Sequence, residues 1–243
     1  MNHLWTSQRA RGLSIVEFLV GIAVGLLVVV GASKLFADYV VGNKQLMLET
    51  RVNQDLRAAA DIVARDVRRA GYWNNALTGV WSTGSGSIVL NPHASGMGRV
   101  SSTATSVSYS YARDTDDTLD SNEYAGFRLW SVNGVNRLEM WDGGLPANPN
   151  WQAITDPGTV RITAFSVNPI APALVNDLSS YCGCLSRLTC TLTSIAAAGA
   201  PTLTTPSFEI VLTGQAVNDP AVTRTVRETV RVRNPILSGA CPP

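Results

Sequence analysis

The sequence predicts an α+β protein: one long N-terminal helix packed on a predominantly antiparallel β-sheet domain. Three observations carry this expectation. From Leu13 to Ala70 the chain has no proline, and its apolar residues form first a continuous block and then a helical stripe. Beyond Gly71 the period changes to two, with apolar and polar residues alternating between clusters of Gly, Ser, Asn and Pro. Asn133-Gly134 stands between two such alternating runs, as a two-residue hairpin requires.

The first element is a short polar stretch, residues 1–12, with Arg9 and Arg11 and no acidic side chain. Next comes "LSIVEFLVGIAVGLLVVVGA", Leu13 to Ala32, closed by Lys34 and Asp38. About 20 apolar residues cross a bilayer core as a helix. The two arginines are expected to hold the preceding end in the cytoplasm, which puts the remainder across the membrane from it. A secretory signal has a shorter apolar core with its cleavage site after it. Here the sharp boundary, Gly12, stands before the apolar run. A plain anchor leaves Glu17 unexplained, because a carboxylate inside a bilayer segment is costly and usually has a partner and a function.

The helix is expected to continue through residues 35–71. Leu46, Val52, Leu56, Ala59, Val63 and Val67 share a face, Arg51, Asp55, Arg65, Asp66 and Arg69 serve others, and no heptad is sustained. Gly31 and Gly42 are the places for a bend, and Gly71 is a stop of the C′ type. Residues 72–243 form the β-rich part. Its first strand is a short one at Ile88 to Leu90, among loops that leave His93 on the surface. Further strands carry Val107, Tyr109 and Tyr111; Phe127 and Leu129; Leu138 and Met140; Val160, Ile162 and the nearby Phe165; and Phe208, Ile210 and Leu212. In the last, Val222, Val226, Val230 and Val232 share one face, and Arg227, Arg231 and Arg233 line a solvated face opposite. Residues 169–206 break the pattern and read as an insertion or long loop.

Composition narrows the function. The net charge of +1 over 243 residues gives no field for nucleic acid. The two histidines, His3 and His93, lie far apart, so a catalytic triad or zinc site would rest on His93 alone. A membrane-anchored periplasmic hydrolase, with no Gly-x-Ser-x-Gly elbow, finds no support.

The stretch "RARGLSIVEF" resembles the signal of type IV prepilins and pseudopilins. The resemblance implies cleavage by prepilin peptidase between Gly12 and Leu13, N-methylation of Leu13, and an assembly role for Glu17, the fifth mature residue. Leu13 departs from the phenylalanine usual at the first position. In filaments of this family the glutamate pairs with the new amine of a neighbouring subunit, each charge compensating the other's desolvation. The helix end "ARDVRRAGYW" is similar to that of PilW-type minor pilins, although Asn74 and Asn75 stand where relatives have a cysteine. Tyr72 and Trp73 would anchor that end in the core. The implied protein is a pilin-like minor pilin, held in the inner membrane and then part of a surface pilus, acting in assembly initiation, adhesion and twitching motility. The implied partners are other minor pilins, the major pilin, a PilY-type tip adhesin and prepilin peptidase. A type II secretion pseudopilin carries the same signal and is the alternative.

Cys182, Cys184, Cys190 and Cys241 fall on the oxidising side and are expected as disulfides. A Cys₄ metal site would need a longer gap than Cys182-Gly183-Cys184 provides. A bond between Cys182 and Cys184 would be strained, so the expectation is one bond to Cys190 and one to Cys241, with the pairing open. A bond to Cys241 resembles the C-terminal loop closure of pilins. The last feature is "YARDTDDTLDSNEYAGF". Set against a twelve-residue calcium loop starting at Ala112, Asp114, Asp116, Thr118, Asp120 and Glu123 take the third, fifth, seventh, ninth and twelfth positions. Ala112 at the first position and Asp117 in place of the sixth-position glycine depart from that pattern, and a solvated acidic hairpin loop is the other reading.

Overall fold

The computed structural model describes residues 12, 14–76, 91–93, 100–116, 118–178 and 201–239. Among the described residues the elements are helix α1 (Ile15–Val67), a short 3₁₀ turn (Ser121–Glu123) and eleven strands: β1 (Ser101–Ser102), β2 (Ser106–Ser110), β3 (Tyr124–Val132), β4 (Val135–Asp142), β5 (Trp151–Ala153), β6 (Val160–Pro169), β7 (Leu174–Asp177), β8 (Thr202–Thr205), β9 (Ser207–Ala216), β10 (Thr223–Arg231) and β11 (Ile236–Ser238). This is the expected α+β arrangement, with every strand pair antiparallel. The chain forms two compact units, Met1–Met47 and Leu48–Pro243.

In the first unit α1 is long and apolar enough to cross a membrane. Its large apolar side chains from Ile15 to Val30 are 45–78 % exposed within the chain. Such a surface belongs in hydrocarbon or against other helices. The helix fits a single-pass membrane anchor.

In the second unit α1 buries Val52, Leu56, Ala59, Val63 and Val67 in the stripe the spacing predicts. They share one core with Tyr109, Phe127, Leu138, Ile162, Phe165, Ile210 and Leu212. The helix ends at Val67, short of the expected Ala70. Arg69 and Ala70 instead donate to the carbonyls three residues back, Asp66 and Val67. Gly71 then adopts φ +70°. Its N–H donates to the Ser110 carbonyl at 2.8 Å, and Ala112 N–H donates to the Tyr72 carbonyl at 2.8 Å. The stop therefore turns the chain onto the end of β2. Trp73 is buried as an anchor, whereas Tyr72 stays 44 % exposed.

The described strands make three sheets rather than one: β1-β2-β3-β4-β5, β10-β9-β6 and β11-β8-β7. The β3–β4 hairpin turns at Asn133 (φ 53°) and Gly134 (φ 78°), the left-handed pair that a type I′ turn demands. A bulge between Ile162 and Ala164 shifts β6 by one residue. This is why Phe165 and Val167 join Val160 and Ile162 in the core. On β10 the residues Thr225, Arg227, Thr229 and Arg231 are exposed, as expected of a solvated face. From the other face Arg224 reaches Glu49 at 2.5 Å, and Glu228 reaches Arg68 at 3.6 Å, both on the α1 side of the sheet.

Two expectations are corrected. Residues 169–206 do not all form a loop, because their ends supply β7 and β8 of the third sheet. All four residues of β7 are exposed, so no alternation marked it as a strand. His93 is not on the surface; it is fully buried. The expected strand at Ile88 to Leu90 and all four cysteines lie outside the described residues.

Candidate functional site

The N-terminal site is built by the start of α1. Gly12 is exposed and has open space around it, while Leu13 lies outside the described residues. Phe18 N–H donates to the Ser14 carbonyl at 3.1 Å, which closes the first turn. Ser14 is thus at the helix cap, and Glu17 is in the first turn, exposed. A serine at the cap with a glutamate three residues on is capping-box spacing, and a carboxylate there also faces the positive end of the helix dipole. Glu17 therefore stands where a carboxylate suits its own helix and is open to a neighbour.

A second constellation lies inside the β-rich unit. Imidazole Nδ1 of His93 is 3.0 Å from Ser110 Oγ, and its Nε2 is 3.8 Å from Glu123 Oε2. All three side chains are fully buried. Serine, histidine and glutamate in line resemble a hydrolytic triad in residue type. Here Ser110 is fully buried, and both carboxylate oxygens of Glu123 are spent on the backbone. Its Oε1 accepts from Arg113 N–H and its Oε2 from Asp120 N–H, each at 2.9 Å. The His93 N–H in turn donates to Asn91 Oδ1 at 2.8 Å, and Asn91 Nδ2 donates to the Gly71 carbonyl at 2.9 Å. The cluster ties the end of α1, β2 and the start of β3 together.

Burial pushes the His93 pKa below its ordinary value, against the opposing pull of Glu123 and Asp114. A histidine so depressed binds fewer protons folded than unfolded, so the stability held above its unfolded value is lost as pH falls through that value. The unfolding midpoint of the protein is expected to drop as pH is lowered from about 7.5 to about 5.5, across the ordinary histidine pKa near 6.5. Thermal unfolding of His93→Gln over the same range should show a shallower dependence. An equal slope in both proteins would place the titration elsewhere.

The acidic loop is only partly assembled as its spacing suggested. Carboxylate oxygens of Asp114, Asp116 and Asp120 lie within 4.8 Å of one another, all exposed. Thr118 N–H and Oγ1–H donate to Asp116 Oδ1 at 3.0 and 2.9 Å, and these bonds hold that carboxyl below its usual range. Glu123, the twelfth-position residue, is turned inward as the clasp described above, and Asp117 lies outside the described residues. A further buried contact was invisible to spacing: Tyr109 O–H donates to Asp66 Oδ2 at 2.5 Å, and Arg69 pairs with the other oxygen. Residues 66 and 109 are on different elements, and no local signal links them.

A membrane-length apolar helix with a carboxylate in its first turn, continuing into the core of an antiparallel β-rich unit, defines a pilin-like protein. The family model for prepilin peptidase-dependent protein B matches residues 45–232. The chain belongs to that family, and pilin-like families are generally non-enzymatic. No curated protein and no solved structure matches it. The match excludes residues 9–17, so the resemblance of the signal and the membership of the β-rich unit rest on different residues.

Proposed function

We propose that this chain is a PilW-type minor pilin of a type IV pilus. Prepilin peptidase removes residues 1–12, the amine of Leu13 is methylated, and the mature subunit leaves the inner membrane for the tip complex that initiates the filament. Other minor pilins, the major pilin and a PilY-type adhesin are its partners there. The observation that carries the reading is Glu17, five residues beyond Gly12 in an exposed apolar helix, in a chain whose remainder belongs to a prepilin peptidase-dependent family.

Intact-mass measurement of the membrane protein from a strain with active prepilin peptidase is the test. The expected mass begins at a methylated Leu13, and Gly12→Phe is expected to leave the leader attached, because the protease must approach that glycine closely. A parent mass that still contains Met1 to Gly12 would sink the processing step. Proteins accompanying the subunit in sheared filaments should be pilus components. Recovery with secretion machinery instead would replace the pilus with a type II pseudopilus.

A further inference from the structure

A groove of about 760 Å³ opens beside the end of α1. Four guanidinium groups line it from three separate stretches of chain: Arg68 and Arg69 after α1, Arg113 after β2, and Arg233 after β10. Asp142, Tyr72 and Tyr111 are also in its walls. We propose that this groove is a binding site for an acidic stretch of polypeptide.

Arginines near a helix C-terminus often only compensate its carbonyls. Here the α1 carbonyls of Ala64, Asp66 and Val67 already accept from the N–H groups of Arg68, Arg69 and Ala70, and the carbonyls of the turn beyond have donors too. Arg233 N–H binds the Arg68 carbonyl at 3.0 Å, and Asn234 Nδ2 binds those of Arg69 and Ala70, each at 3.2 Å. The guanidinium groups are therefore not needed for capping. They are also held in place: Arg69 and Arg113 lie 4.6 and 5.3 Å from the centre of the Tyr111 ring. A ring contact of this kind fixes a guanidinium plane and leaves its edge for a planar, two-toothed partner.

The groove shows how such a partner sits, for Arg113 already binds Asp142 at 2.7 Å. Arg69 is matched by the buried Asp66, and Arg68 only loosely by Glu228 at 3.6 Å. Among the described residues Arg233, which is exposed, pairs with no carboxylate. Arg233 and Arg68 are thus the sites for incoming carboxylates. The Tyr111 ring is buried under two guanidinium groups, and Tyr72 leaves one ring exposed in the wall. The carboxylate already seated on Arg113 is an amino-acid side chain, and it is this precedent that favours an acidic peptide over an anionic glycan.

The test uses the full processed chain in detergent at low ionic strength, titrated with hexaglutamate and separately with dextran sulfate. Hexaglutamate is expected to bind and to weaken with added salt. Arg233→Gln and Arg68→Gln should each weaken it about tenfold, the scale of one charge-assisted bond. Arg231→Gln, on the exposed face of β10 and outside the groove, should change it less than about twofold, and all three variants should unfold with the parent. Failure of hexaglutamate to bind would overturn the proposal. So would an equal loss in Arg231→Gln, which would mean attraction to net charge alone, or a response of dextran sulfate binding to Arg233→Gln without any hexaglutamate binding, which would assign the groove to a glycan.

Discussion

Gly126→Ala is expected to cost several kcal/mol, a large share of the roughly 5–15 kcal/mol that holds a domain folded. Gly126 lies on β3 opposite Ser108 of β2 and Trp141 of β4. A methyl group there would stand 2.4 Å from the Val107 carbonyl oxygen and 3.2 Å from Ser108 Cα. Both obstacles are backbone, so no rotamer change relieves them. The β2–β3 ladder has to part, and with it the anchorage of Tyr109 and Ser110. Gly134→Ala is the comparison: the space around it is open, and only its φ of +78° is unfavourable. That substitution should cost about 1 kcal/mol. Denaturant unfolding of the processed full chain measures both. Equal midpoints for Gly126→Ala and parent would mean that β2 and β3 do not pair in this register.

Glu17→Ala should enter the membrane at least as well as the parent, because losing a charge lowers the cost of insertion. It should be depleted from sheared filaments on the order of a hundredfold, the scale of breaking a buried ion pair. Glu17→Gln separates the two uses of this side chain, since glutamine keeps the capping-box residue type but not the charge. Depletion of both variants, read by quantitative blotting of filament and membrane fractions, supports pairing with a neighbour's amine. Normal assembly of Glu17→Gln would reduce the role of Glu17 to capping its own helix. Normal assembly of Glu17→Ala would remove the assembly role altogether.

Local pattern by itself determined much of the fold. The apolar block and the stripe from Val52 to Val67 determined α1, because a helix that buries one face must repeat near 3.6 residues. Alternation determined β2, β3, β4 and β9, and Asn133-Gly134 determined the hairpin, because few residue pairs tolerate two successive left-handed conformations. The proposed N-terminal site rests on sequence, since Gly12, Leu13 and Glu17 sit within a few residues of one another. Only the tertiary structure decided the rest. Strands β7 and β8 bury too little on either face to alternate, and they exist because they pair with each other and with β11. His93 follows a proline in a short polar turn and reads as solvated; it is buried because Ser110 and Glu123, seventeen and thirty residues on, close around it. The four arginines of the groove come together only when the end of α1, the end of β2 and the end of β10 meet. Periodicity reports which face of an element is apolar. Which distant polar groups share a dry site depends on the sheet's strand order and register, and a single strand carries neither.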